Sequence, residues 1–174
     1  MDIYRKVIAA SLALFVTLSA HAGMTMERKD IPDLKLSVEI PEGLTPMSEE
    51  MAKLKYPSEN RPQVIYGDEK GKASLEVTAG RNPLPAEKLD AFKEMMLKML
   101  ESLKPKAEAV TVDGHKGWLL TFYSQAADTE ILNMMLITSQ DNKAVQMTFN
   151  MTKDLVEQYQ EAAKASLLSL QFAK

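Results

Sequence analysis

Apolar residues recur along this chain in two periods, and the switches between them mark out its elements. Leu34, Leu36, Val38 and Ile40 alternate with Lys35, Ser37 and Glu39, the period of two expected of a half-buried strand. Pro41-Glu42-Gly43 ends that strand, and Ser48 stands as the N-cap of a short helix reaching Leu54. Gln63 to Tyr66 and Ala73 to Ala79 read as two strands joined around Gly67-Asp68-Glu69-Lys70-Gly71, a connection rich in turn residues. In the second strand Ala73, Leu75, Val77 and Ala79 face one way, and Ser74, Glu76 and Thr78 the other. The period then changes. From Ala86 to Leu103 the residues Leu89, Phe92, Met96, Met99, Leu100 and Leu103 fall at steps of three and four, an amphipathic helix with Pro85 in its first turn and Lys104-Pro105 as its stop.

Four strands follow: Ala107–Val112, Gly117–Tyr123, Glu130–Ser139 and Ala144–Met151. Asp113-Gly114-His115-Lys116 and Gln140-Asp141-Asn142 are hairpin connections between neighbours. Thr152 caps a second long helix, Lys153 to about Ser169, with the stripe Leu155, Val156, Tyr159, Ala163, Leu167 and Leu170. Met24 to Pro32 shows neither period and reads as a polar lead-in. The sum is α+β: an antiparallel sheet of about six or seven strands with two long helices. Ile131 to Ile137 is apolar on both faces and therefore belongs inside the sheet, covered on both sides. The helices lie on opposite faces, or on one face with loops closing the other. Trp118, Phe149 and Leu167 fall on apolar phases and are expected in the core.

The N-terminus sets the address. Arg5 and Lys6 precede a mostly apolar run from Val7 to Ala20, and Ala20-His21-Ala22 closes it, the layout of a cleaved secretory signal peptide. The run falls short of the roughly 20 apolar residues a membrane span needs. Cleavage between Ala22 and Gly23 leaves 152 of the 174 residues as a single domain, 23–174, in the periplasm or secreted. Losing Arg5, Lys6 and Asp2 moves the net charge from −3 to −4. Charges of both signs are interspersed, so neither nucleic acid nor stable membrane insertion is expected. The chain has no cysteine, which excludes thiol chemistry, disulfides and a lipid anchor on an N-terminal cysteine.

One strand ends in Val38-Glu39-Ile40-Pro41-Glu42-Gly43, and a hairpin and a long helix follow. The run Val110-Thr111-Val112-Asp113-Gly114-His115-Lys116-Gly117-Trp118 then leads into antiparallel strands, and a last helix ends in Ala165-Ser166-Leu167-Leu168-Ser169-Leu170. This order resembles the PsbP-like fold and, within it, the exported bacterial DcrB-like proteins, over about residues 30 to 172. The resemblance implies an αβα sandwich, an envelope location and an accessory or binding role. It supplies no catalytic set. DcrB-like proteins are often lipoproteins, and the missing cysteine departs from that pattern.

No motif in the chain carries chemistry. His115 is the sole histidine after leader removal, so any Ser-His-Asp unit would have to be built on it. It lies in a tight turn beside Asp113, where a solvated histidine is the ordinary occupant. Glu49-Glu50 and Asp68-Glu69 sit in a helix start and a turn, and no segment has calcium-loop spacing. Met95, Met96, Met99, Met134, Met135, Met147 and Met151 suggest Cu(I). Most of them fall on core phases, however, which favours packing. No catalytic residue, metal site or cofactor is expected. Ser74, Glu76, Thr78, Thr121, Tyr123, Gln146, Thr148 and Asn150 would make one polar sheet face if their strands are neighbours. Within it Glu76, Thr78, Thr121, Tyr123, Gln146 and Thr148 are the candidate partner-binding residues. The expected function is therefore a non-enzymatic envelope accessory protein that binds another envelope protein or macromolecule. The alternatives are a small chaperone for hydrophobic segments and, behind it, an exported hydrolase or a Cu(I) carrier.

Overall fold

The computed structural model describes residues 20, 21 and 23–173. The expected signal peptide lies outside the described residues, apart from Ala20 and His21. In chain order the elements are β1 (Ala20–His21), β2 (Met24–Ile31), β3 (Leu36–Pro41), β4 (Thr45–Pro46), α1 (Glu49–Lys55), β5 (Val64–Gly67) and β6 (Ala73–Pro83). They continue with α2 (Leu89–Met99), β7 (Lys106–Val112), β8 (His115–Gln125), β9 (Glu130–Gln140), β10 (Lys143–Thr152), α3 (Val156–Leu168) and β11 (Gln171–Phe172). Short 3₁₀ turns precede both long helices and follow α2. No described helix is long and apolar enough to cross a membrane.

The strands divide between two antiparallel sheets, a large one in the order β4-β5-β6-β10-β9-β8-β7 and a small one in the order β1-β2-β3-β11. The second sheet corrects the expectation of a single sheet. The segment read as a polar lead-in is strand β2, whose only buried residues are Met26 and Ile31, too few to show an alternation. The hairpins came from recognisable turn residues. Asp113 and Gly114 both have positive φ (46° and 79°), as do Asp141 and Asn142 (51° and 60°), the pattern of type I′ turns that suits twisted strands.

Alternation gives the large sheet two faces. The inner face carries Leu75, Val77, Leu136, Met147, Phe149 and Met151, packed against Val38 and Ile40 of β3 and Tyr159, Ala163 and Leu167 of α3. The outer face carries Leu120 and Ile137, packed against Leu84 and Leu89, with Phe92, Met96 and Leu97 of α2 partly buried around them. The long helices thus lie on opposite faces of the sheet, in an αβα sandwich. Strand β9 is interior and covered on both sides. Phe149 and Leu167 have no exposed surface, and burying each such side chain contributes about 1.5–3 kcal/mol.

Two core expectations need correction. Trp118 is half-buried, because its indole Nε1 reaches out to donate to Asp90 at 2.8 Å while Lys93 Nζ stands 4.3 Å from the ring centroid. Met99, placed in the core stripe of α2, is 69% exposed. At about 100° per residue the packed residues Leu89, Phe92, Met96, Leu97 and Leu100 centre on a line that leaves Met95 and Met99 on the flank. The last helix also begins later than expected: Thr152 precedes a 3₁₀ turn and makes no side-chain cap bond.

α3 is stitched to the small sheet through serine. Ser166 Oγ donates to the Glu39 carbonyl at 2.6 Å, and Ser169 Oγ accepts from Glu39 N at 2.7 Å. Arg28 donates to the Ser169 carbonyl at 3.2 Å, satisfying a helix-end acceptor. Beyond it, Phe172 N donates to Asp113 Oδ2 at 2.9 Å and the Phe172 ring meets His115 edge-on at 4.9 Å. His115 is therefore half-buried against the last strand.

Candidate functional site

Strand register lays the outer face out in rows. One row runs Ile65, Glu76, Thr148, Met135, Leu120, and the next runs Thr78, Gln146, Ile137, Trp118. The face is apolar on β8 and β9 under α2 and apolar again at Ile65 on β5. Between these lies a polar stripe on β6 and β10: Ser74, Glu76, Thr78, Gln146, Thr148 and Asn150. The stripe is shielded as well as polar, since Ser74 and Thr148 are both buried.

α1 supplies part of that shield. Ser48 starts it as the N-cap, its Oγ accepting from Met51 N at 3.2 Å, and Glu49 pairs with Lys53 one turn on. Ala52 is its only buried residue, so so little apolar contact does not hold the helix down alone. The last residue of α1 and its C-cap complete the attachment. Lys55 Nζ donates to Ser74 Oγ at 2.8 Å and to the Gly71 carbonyl at 3.0 Å. The Tyr56 hydroxyl donates to the Glu76 carboxylate, and Asn150 Nδ2 donates to the same oxygen.

Electrostatics follow from this burial. Desolvation pushes Glu76 above the ordinary carboxylate range, although its bonds from Tyr56 and Asn150 and the Lys55 charge pull the other way. Burial lowers Lys55 despite the Glu76 charge. Burial and then the Glu76 charge raise Tyr56. Asn150 Oδ1 is buried with no hydrogen-bond partner among the described residues. The Lys55–Ser74 contact has the spacing of an activated nucleophile, but Ser74 offers no surface for a substrate to approach. The cluster fastens α1 to the sheet.

Four of the six candidates read from sequence come together here: Glu76, Thr78, Gln146 and Thr148. Thr121 and Tyr123 do not. They pair with Met134 and Leu132 and share the inner-face phase of those residues, across the sheet from the stripe. β8 carries Leu119 on one face and Leu120 and Phe122 on the other, so its own pattern leaves its phase relative to β6 open. Lys55 and Tyr56 were missed because they reach the stripe from a helix with no period in common with the strands. Gly23, on the mature side of the expected cleavage point, is exposed between β1 and β2. Among the described residues, no three His, Cys, Asp or Glu side chains gather to hold a metal ion.

No protein-family model matches the sequence, and no curated protein matches it. Solved structures do match. The chain is similar to cyanobacterial PsbP from Synechocystis, with a TM-score of 0.56 and 12% identity over 95% of this chain and 98% of that one. It is similar to LpqN of Mycobacterium tuberculosis, a protein involved in cell envelope biogenesis, with a TM-score of 0.50 and 12% identity over 80% and 83% of the two chains. A Bacteroides thetaiotaomicron protein matches with a TM-score of 0.53 and 16% identity over 80% of this chain but 46% of its own length. At these identities the likeness is one of fold, and it does not single out the DcrB-like branch. The chain has a PsbP-like fold.

Proposed function

We propose that this chain is a non-enzymatic accessory protein of the bacterial envelope that binds another macromolecule through its outer sheet face. The observation that carries the reading is the polar stripe between α1 and α2. There the half-buried Thr78 and Gln146 supply uncharged hydrogen-bonding groups on a rigid sheet, and such groups are desolvated at lower cost than ions, which suits reversible recognition. The basic, apolar and Ala20-His21-Ala22 segments at the N-terminus support export, and an envelope-biogenesis protein of similar fold supports the setting. The partner is an envelope protein or another macromolecule.

A photo-crosslinking residue placed at Gln146 tests the reading in intact cells, with Asp141 as the control position. A discrete adduct is expected at Gln146 and not at Asp141, and it should disappear in the otherwise folded Thr78→Ala chain. His115→Ala should leave it unchanged. Equal adducts at both positions, or loss of the protein's phenotype in His115→Ala with the Thr78→Ala chain active, would overturn the proposal.

A second reading has its own observation. Met95 and Met99 stand one helical turn apart on the open flank of α2, 47% and 69% exposed. Flexible thioether side chains suit loose apolar contacts, so a small chaperone for hydrophobic segments is the runner-up. Suppression of aggregation of an unfolded client, lost on Met95→Gln/Met99→Gln, would favour it.

A further inference from the structure

The sandwich is open at one end. There the Pro32–Leu34 turn and β11 of the small sheet stand apart from the end of β6 and the β9–β10 hairpin of the large sheet. The gap between them is a cleft of about 390 Å³, within the size range of small-molecule sites. Its floor is apolar, with Ala79 and Val145 buried and Leu34 and Phe172 half-buried beside them. Its rim is charged. Lys35, Arg81 and Lys143 are exposed there with Asp33 and Asp141. Among the described residues none of these five takes part in an ion pair. Three cations against two carboxylates leave one unit of positive charge over an apolar floor.

The backbone is shaped for access at the same place. Val145 pairs with Ala79 but Lys143 pairs with Pro83, so Gly80, Arg81 and Asn82 bulge opposite Ala144 alone. Such bulges re-aim side chains at the rims of sheets. Gly80 has φ +73°, and a Cβ there would meet nothing within 4 Å, so the wall of the cleft is bare backbone. Arg81 Nη1 donates to the Arg61 carbonyl at 3.0 Å, which holds the guanidinium while leaving its other N–H groups for an anion. Gln63 Oε1 accepts from Ala79 N at 2.8 Å, so the amide nitrogen of Gln63 is left to donate.

We propose that this cleft binds a small organic monocarboxylate with an apolar body. The carboxylate lies between Arg81 and the lysines, and the body lies over Val145 and Phe172. The planar guanidinium fork matches a carboxylate in shape, and the single excess charge matches a monoanion. Ala79 and Val145 belong to the inner face, so this site is independent of the outer-face surface and the two stand or fall separately.

The test titrates the mature protein with phenylacetate, followed by backbone amide NMR shifts, with phenylacetamide and phenyl phosphate as comparison probes. Saturable shifts are expected at Gly80, Arg81, Asn142 and Phe172, with a dissociation constant of about 1 mM or below. Phenylacetamide should bind at least about tenfold more weakly. Arg81→Gln/Lys143→Gln should weaken phenylacetate about tenfold with the unfolding midpoint unchanged. Lys143→Gln alone, on the exposed hairpin, repeats the test should the double change disturb folding. Absence of saturation, equal binding of the amide, or indifference to the charge changes would overturn the site. Tighter binding of phenyl phosphate would overturn the monocarboxylate assignment.

Discussion

The two faces of the large sheet are made from the same strands and solve different problems. The inner face is apolar from β6 to β9, and the second sheet and α3 cover it. The outer face is apolar only at its two sides, with polar residues of β6 and β10 between. On the inner face shape complementarity is enough. On the outer face every shielded polar group needs a partner, so α1 is held to the large sheet by hydrogen bonds where α2 and α3 are held to it by packing. The difference teaches that cover over a sheet is not evidence of an apolar core beneath it.

The largest effect should come from the inner face. Phe149→Ala is expected to cost about 3–5 kcal/mol in urea unfolding, and a loss under about 1 kcal/mol would break the claim of a continuous packed face. The outer-face counterpart is Glu76→Ala, which strands the Tyr56 hydroxyl and the Asn150 amide. Its expected cost is about 1–3 kcal/mol, and a neutral result would mean that α1 is held by something other than this cluster.

The next test sharpens the comparison through pH. The folded chain holds the Glu76 proton more tightly than the unfolded chain does, because burial raises its pKa above 4.5. That stabilisation is fully present below 4.5 and is lost as pH rises through the raised value. Glu76→Gln keeps an acceptor for Tyr56 and removes the titration. Measured in urea from about pH 4 to about pH 8, wild type should lose stability relative to Glu76→Gln as pH rises, and parallel curves would refute the raised pKa. The smallest effect belongs to the flank of α2. Met99→Gln should change stability by less than about 0.5 kcal/mol, and a larger loss would put Met99 back in the core stripe.

Much of this architecture was legible in the chain. Periods of two and of 3.6 located most of the strands and the two long helices, Ser48 as an N-cap located the short one, and turn residues such as Asp113-Gly114 located hairpins. The double apolar phase of Ile131 to Ile137 required an interior strand. The failures have physical causes. β2 was hidden because a strand of eight residues with two of them buried shows no period. Four of the six expected site residues came together because Thr78 lies directly across from Gln146 and Glu76 from Thr148, while Thr121 and Tyr123 went to the other face because the phase of one strand against another is set by register. Alternation is a property of each strand and is written in its residues. Which strands pair, in what register, and that Lys55 and Tyr56 descend onto Ser74 and Glu76 from a helix some twenty residues earlier, are properties of the packed chain, settled only when the sheets close over a common core.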